Sequence, residues 1–140
     1  ADSWNAVQNL NLRAPVLLSK DAGLRMKRDG GGAIVNVTDW GAFRPHTEYL
    51  AYAAAKAGLV SATAGLARAL APEVRVNSVA PGAILLPEGA SPEYDTRVRA
   101  ATPLGRWGGS EAVVSTVLFL IGNDFITGGN YLVDGGRSVR

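Results

Sequence analysis

Tyr52 and Lys56 stand four residues apart in Tyr49-Leu-Ala-Tyr52-Ala-Ala-Ala-Lys56, and the chemistry open to such a pair is proton delivery. On a helix this spacing stacks both side chains on one face, one turn apart. A phenol ionises near pH ~10, and an ammonium held close to it stabilises the phenolate and draws the pKa toward the range of a general acid. At ~4 Å and an effective dielectric of ~20 the attraction is about 4 kcal/mol, an upper guide equal to about three pKa units. By itself the pattern says little, because a Tyr and a Lys at this spacing occur on many solvated helices. What the neighbouring elements bring to the pair decides.

Those elements alternate. From Ser3, a candidate N-cap, to about Lys27, the apolar residues Trp4, Val7, Leu10, Leu12, Val16, Leu17 and Leu24 follow a helical period, and Pro15 predicts a kink or a local adjustment. Ala33 to Thr38 is a β-branched run without polar alternation, which predicts a parallel strand covered on both faces. A loop from Asp39 to about Thr47 leads into a long helix ending near Leu70, ahead of Pro72. Gly58 and Gly65 each cost this helix about 1 kcal/mol in propensity, which predicts close approach by another helix. Val74 to Ala80 reads as a second buried strand stopped by Pro81-Gly82. After a Pro-rich loop come a short helix from Pro92 to about Ala100, a helix from Ser110 to Ile121, and a last strand from Tyr131 to Asp134. Such an order predicts an α/β fold: parallel strands, right-handed crossovers and helices on both faces of the sheet. Ligands of these sheets gather at the carboxyl ends of the strands, where Asp39 and Pro81-Gly82 both fall.

Composition narrows the function. The 140 residues, 47% hydrophobic and 19% charged, suit one soluble globular domain spanning residues 1–140, and a net charge of +2 with scattered basic residues offers nothing to nucleic acid. The local cluster Arg25, Lys27 and Arg28 is explained by a helix carboxyl end. Absence of cysteine excludes disulfides, thiolate metal sites and cysteine nucleophiles. No apolar run predicts a membrane span and no leader is visible, so the cytoplasm is the expected location. His46, the only histidine, is expected to face solvent, and no metal site can be built on it. Glu88, Glu93 and Asp95 read as surface charge around the Pro-rich loop, while Arg106-Trp107 could pin that loop's return.

Taken together, Ile34-Val-Asn-Val-Thr-Asp39-Trp, Tyr52-x-x-x-Lys56 and Val76-Asn-Ser-Val-Ala-Pro81-Gly82 resemble the short-chain dehydrogenase/reductase family. The likeness extends to Trp4-Asn5, Asn11-Leu12, Phe125-Ile-Thr-Gly128 and Val133-Asp-Gly-Gly136. It implies that Tyr52 protonates the substrate as hydride arrives, that Lys56 holds the nicotinamide ribose and lowers the phenol pKa, and that Asn11 orders a proton-supplying water chain. It also implies that Pro81, Gly82 and the Ile84 backbone grip the nicotinamide carboxamide. On residue type alone, Asn11 is equally well explained by a local backbone bond, and Pro81-Gly82 by a plain turn.

One departure sharpens the likeness. The family usually has a serine thirteen positions before the tyrosine, where this chain has Asp39. Val-Thr-Asp-Trp is similar to the pteridine reductase and dihydromonapterin reductase branch, which implies NADPH as cofactor, with NADH open, and a pterin as substrate. A carboxylate suits a pterin because it can accept from ring N–H and amino donors, whereas a serine hydroxyl suits a carbonyl. Alternatively, Asp39 merely starts a turn. A carbonyl or 3-oxoacyl reductase, or a non-catalytic assembly module, are the competing readings. No Gly-rich phosphate-binding turn follows a strand, and Gly30-Gly31-Gly32 precedes one. The resemblance therefore implies the carboxyl-terminal half of a doubly wound Rossmann-type sheet, without the dinucleotide-binding half, and a homodimer or homotetramer for the full-length relative.

Overall fold

Two β-branched runs, Ile34-Val and Val74 to Val79, set the centre of the molecule, and a computed structural model describes residues 2–45 and 47–139 around them. The strands β1 (Gly32–Val37), β2 (Val74–Pro81) and β3 (Asn130–Val133) form one parallel sheet in the order β1-β2-β3. Gly32 to Val37 lie opposite Val74 to Val79, and Ser78 to Pro81 opposite Asn130 to Val133. This register brings the carboxyl ends of β1 and β2 to the same edge, where Thr38 N–H bonds the Val79 carbonyl at 2.8 Å. His46 lies outside the described residues.

Helices α2 (Ala14–Arg28) and α3 (Leu50–Leu70) cover one face. Ala67 and Leu70 of α3 pack on Val74 and Val76, joined by Met26 and Ile34. Asn36, on the same side of β1, accepts from Ser19 of α2 at 3.0 Å and donates to Thr63 of α3 at 3.0 Å, a buried polar pin between the three elements. Strand alternation turns Arg75 the other way, and its guanidinium bonds the Leu120 and Ile121 carbonyls of α5 (Ser110–Gly122) at 2.8 Å each. Helices therefore flank both faces, as the alternating pattern predicts. The short α4 (Pro92–Ala100) is capped by Ser91, whose hydroxyl accepts from Tyr94 N–H at 3.2 Å.

The first helix departs from one expectation and meets another, the local adjustment at Pro15. It is already helical at Asp2, so Ser3 is not its N-cap. It runs as α1 (Asp2–Gln8), a π-helical turn over Asn9–Arg13, and then α2, with Pro15 in the first turn of α2. A proline has no N–H for the carbonyl four residues earlier, here that of Asn11, and its ring would collide with that carbonyl. Widening the turn, with Ala14 N–H bonding the Asn9 carbonyl, is how the chain accommodates it.

Strand β1 is less covered than predicted. Gly32 and Val37 are exposed and only Asn36 is fully buried, because β1 is an edge strand with a single neighbour among the described residues. Gly58 meets its expectation: a Cβ there would lie 3.0 Å from a Leu12 methyl. At Gly65 no described residue of this chain comes within 4 Å of such a Cβ, so any close approach there is not made by the chain's own helices. By length and hydropathy Thr47–Leu70 would also suffice to cross a bilayer, contrary to the sequence expectation. Its stripe of Ala53, Ala55, Leu59, Thr63, Ala67 and Leu70 is buried within the fold, while 28% of its apolar window is buried in all. Gly30 and Gly31, at φ of 106° and 112°, make the helix-to-strand turn ahead of β1.

Candidate active site

Asp39 follows the last residues of β1 in extended backbone, and its carboxylate does two things at once. Oδ1 accepts the Gly41 N–H at 2.6 Å, capping a short 3-10 turn over Trp40–Ala42. Oδ2 accepts from the Tyr52 hydroxyl at 3.4 Å. Starting the turn therefore does not take Asp39 away from Tyr52. A Cβ on Gly41 would stand 2.8 Å from Oδ1, so the glycine keeps room for this arrangement.

Tyr52 and Lys56 lie in the first two turns of α3, and the Gln8 side chain ties α1 to them by donating to the Ala51 carbonyl at 2.8 Å. The Lys56 ammonium donates to the Val37 carbonyl at 2.9 Å and sits 5.5 Å from the Tyr52 ring centroid. Asp39, Trp40, Gly41, Tyr49, Tyr52 and Ala53 line a cleft of about 370 Å³.

The electrostatics reverse one expectation. Burial pushes the Tyr52 phenol up to about 12, and the Asp39 charge and hydrogen bond push the same way. The Lys56 ammonium does not outweigh these effects, and its own pKa is lowered by burial, against the pull of Asp39. The phenol is thus held in its proton-carrying form. If Asp39 is the charge responsible, Asp39→Asn lowers the Tyr52 pKa, since a neutral neighbour no longer opposes phenolate formation. Alkaline absorbance titration, differenced against Tyr52→Phe to isolate this tyrosine, checks the sign; an unchanged or higher value would show that the carboxylate does not govern the phenol.

The remaining predicted residues do not line this cleft. Asn11, on the π turn, gives its side-chain N–H to the Val7 carbonyl at 3.1 Å. Pro81, Gly82 and Ile84 line a second cleft of about 470 Å³, and Trp40 is common to both clefts. Gly82 N–H bonds the Val133 carbonyl at 3.0 Å, and a Cβ there would lie 2.7 Å from Asp134 Cα, so only glycine fits. The Ile84 carbonyl accepts from Gly109 at 2.9 Å, while its N–H bonds no described residue. Trp107 pins the returning chain, donating to Asp95 at 2.6 Å, which makes Asp95 a structural acceptor rather than bland surface charge.

Sequence reasoning missed Arg137, whose guanidinium carbon lies 4.9 Å from the Trp40 ring centroid. It also missed the cluster beneath the site, where Thr38 and Ser78 donate to the Asn130 side-chain oxygen at 2.8 and 2.6 Å. Only the polar residues inside otherwise apolar strands signalled that cluster.

A family model described as Enoyl-(Acyl carrier protein) reductase matches residues 1–138. Dihydromonapterin reductases of Escherichia coli (strain K12) and Citrobacter koseri are 34% and 33% identical over 142 residues, covering 100% of this chain. The chain spans 59% of the length of these curated relatives. Among solved structures, the FolM alternative dihydrofolate reductase 1 of Brucella suis in complex with NADP superposes with a TM-score of 0.90 at 32% identity, over 99% of this chain and 56% of that one. A 4-hydroxyisoleucine dehydrogenase mutant complexed with NADH and succinate gives 0.93 at 30% identity, over 100% and 61%.

Proposed function

The chain belongs to the short-chain dehydrogenase/reductase family, and on that premise we propose that it forms the substrate-side half of an oxidoreductase that reduces a pterin with NADPH. The observation that carries this reading is Asp39 with one oxygen on the Tyr52 hydroxyl, in place of the family's usual serine. Names and complexes of the relatives support it: two are dihydromonapterin reductases, and one neighbour is an alternative dihydrofolate reductase with NADP.

The residues present fit a nicotinamide cofactor. Ile84 offers an N–H beside the Pro81-Gly82 turn, suited to a carboxamide oxygen, and Lys56 keeps two N–H donors beyond the one on Val37, suited to ribose hydroxyls. When bound, the cofactor supplies hydride. Asp39 accepts from the N–H and amino donors of the pterin ring and fixes its orientation. As the ring carbon gains hydride, the C=N electron pair moves onto nitrogen, which takes the Tyr52 proton. Sharing the Asp39 charge with substrate donors removes part of what holds the phenol pKa up, so proton release becomes easier once substrate is in place. The Lys56 ammonium stabilises the phenolate left behind, and Asn11, whose amide N–H is on the Val7 carbonyl, offers its side-chain oxygen to the water that resupplies the proton.

The proposal includes a preceding Gly-rich dinucleotide-binding half that pairs with the open edge of β1, and a homo-oligomer that covers exposed Leu10 and Leu18. The test joins this chain to such a half and follows NADPH absorbance with a dihydropterin. Consumption dependent on the pterin is expected; binding of NADPH with no pterin turnover would overturn the reading.

A further inference from the structure

Arg137 stands in the second cleft with its side-chain donors unused. The turn that carries it is fixed by Asp134, which accepts the N–H groups of Gly136 at 2.9 Å and Ser138 at 2.8 Å. Its Nε is buried without an acceptor, and no described residue forms an ion pair with the guanidinium. Other arginines near the sheet are committed: Arg75 to three carbonyls, Arg99 to Asp95, and Arg106 to the carbonyls of Trp107 and Gly108. Among the described residues lining the 470 Å³ cleft, Arg137 alone is charged, and its neighbours there include Ile84, Tyr94, Val98 and Trp107.

Stacking on Trp40 orients the guanidinium without occupying its in-plane donors. A planar bidentate acceptor is the partner that such a fork matches, and a carboxylate is that acceptor. Position makes the source a substrate. Trp40 follows Asp39 directly and lines both clefts, so a ring held at Asp39 and Tyr52 that continues past the indole brings its substituent to Arg137.

We propose that Arg137 is a specificity-determining residue that docks a carboxylate borne on the substituent of the ring reduced at Tyr52. The proposal rests on the pterin-reductase reading and refines it: a dihydropterin with an aryl-glutamate tail, as in dihydrofolate, gains over one with a neutral polyhydroxy side chain.

Arg137→Met keeps length and packing on Trp40 while removing the charge, and Arg137→Lys restores charge without the fork. In the enzyme with its dinucleotide-binding half, Arg137→Met is expected to lower the preference for dihydrofolate over dihydromonapterin about tenfold or more, through KM rather than kcat, with Arg137→Lys intermediate. Calorimetry with 4-aminobenzoyl-glutamate, and with its uncharged diamide as control, should show the same loss without turnover. Equal effects on both pterins would reduce Arg137 to a packing residue on Trp40 and overturn the proposal. Weakened NADPH binding at unchanged preference would assign the guanidinium to a cofactor phosphate and overturn it too. A protein that binds the tail through Arg137 yet reduces no pterin defeats only the reductase reading. One that reduces both pterins regardless of Arg137→Met defeats only this proposal.

Discussion

Tyr52→Phe is expected to lower kcat/KM for pterin reduction by about 10²- to 10⁴-fold, the usual worth of a positioned general acid. That equals about 3–5 kcal/mol of transition-state stabilisation at ~1.36 kcal/mol per tenfold. The loss should appear in kcat, because the phenylalanine ring preserves the half-buried surface beneath the Lys56 ammonium and the walls of the cleft. Wild-type Tyr52, with its pKa raised to about 12, carries its proton throughout the neutral and mildly alkaline range. Reduction should therefore show no alkaline limb from this group in the free enzyme. Steady-state kinetics of the two proteins across pH decide the matter, and a loss smaller than tenfold would remove Tyr52 from proton delivery.

Asp39 carries the second large effect, and its two oxygens allow the turn to be separated from the chemistry. Asparagine can still cap Gly41 N–H but presents no charge to the pterin donors. A hydrogen bond to a charged group is worth about 1.5–3 kcal/mol, so Asp39→Asn should cost about 10- to 100-fold in kcat/KM for the pterin. Asp39→Ala removes cap and acceptor together and should abolish reduction while leaving the sheet in place, since the register of β1 on β2 does not involve this side chain. Circular dichroism alongside kinetics checks both halves of that statement. Unchanged turnover in either variant would leave Asp39 as a turn residue only.

Much of the scaffold could be read from residue order because it depends on local pattern. The β-branched stretches at Ile34-Val and Val74 to Val79 announce strands, and the alternation of elements dictates a parallel sheet that brings Asp39 and Pro81-Gly82 to one edge. What escaped reading depends on long-range placement. Exposure of Gly32 and Val37 at the ends of β1 is not encoded in its own residues, although an open edge there is what the likeness to half a sheet implies. Pro15 signals a disturbed helix, but residue type alone does not say whether the helix kinks or widens into a π turn. Spacing placed Lys56 near Tyr52 correctly, yet the sign of the phenol shift was missed, since burial and the Asp39 carboxylate outweigh the ammonium. Arg137 meets Trp40 only because the chain end returns beside β2, a contact without local signature.

Substrate preference in wild type and Asp39→Ser tests the central claim most directly, as the ratio of kcat/KM for NADPH-dependent reduction of a dihydropterin to that for a 3-oxoacyl thioester. A carboxylate that orients ring nitrogens for protonation by Tyr52 predicts at least about a tenfold bias toward the pterin in wild type, narrowed or reversed when serine replaces Asp39. A wild-type bias toward the thioester, or a ratio indifferent to the substitution, would contradict it.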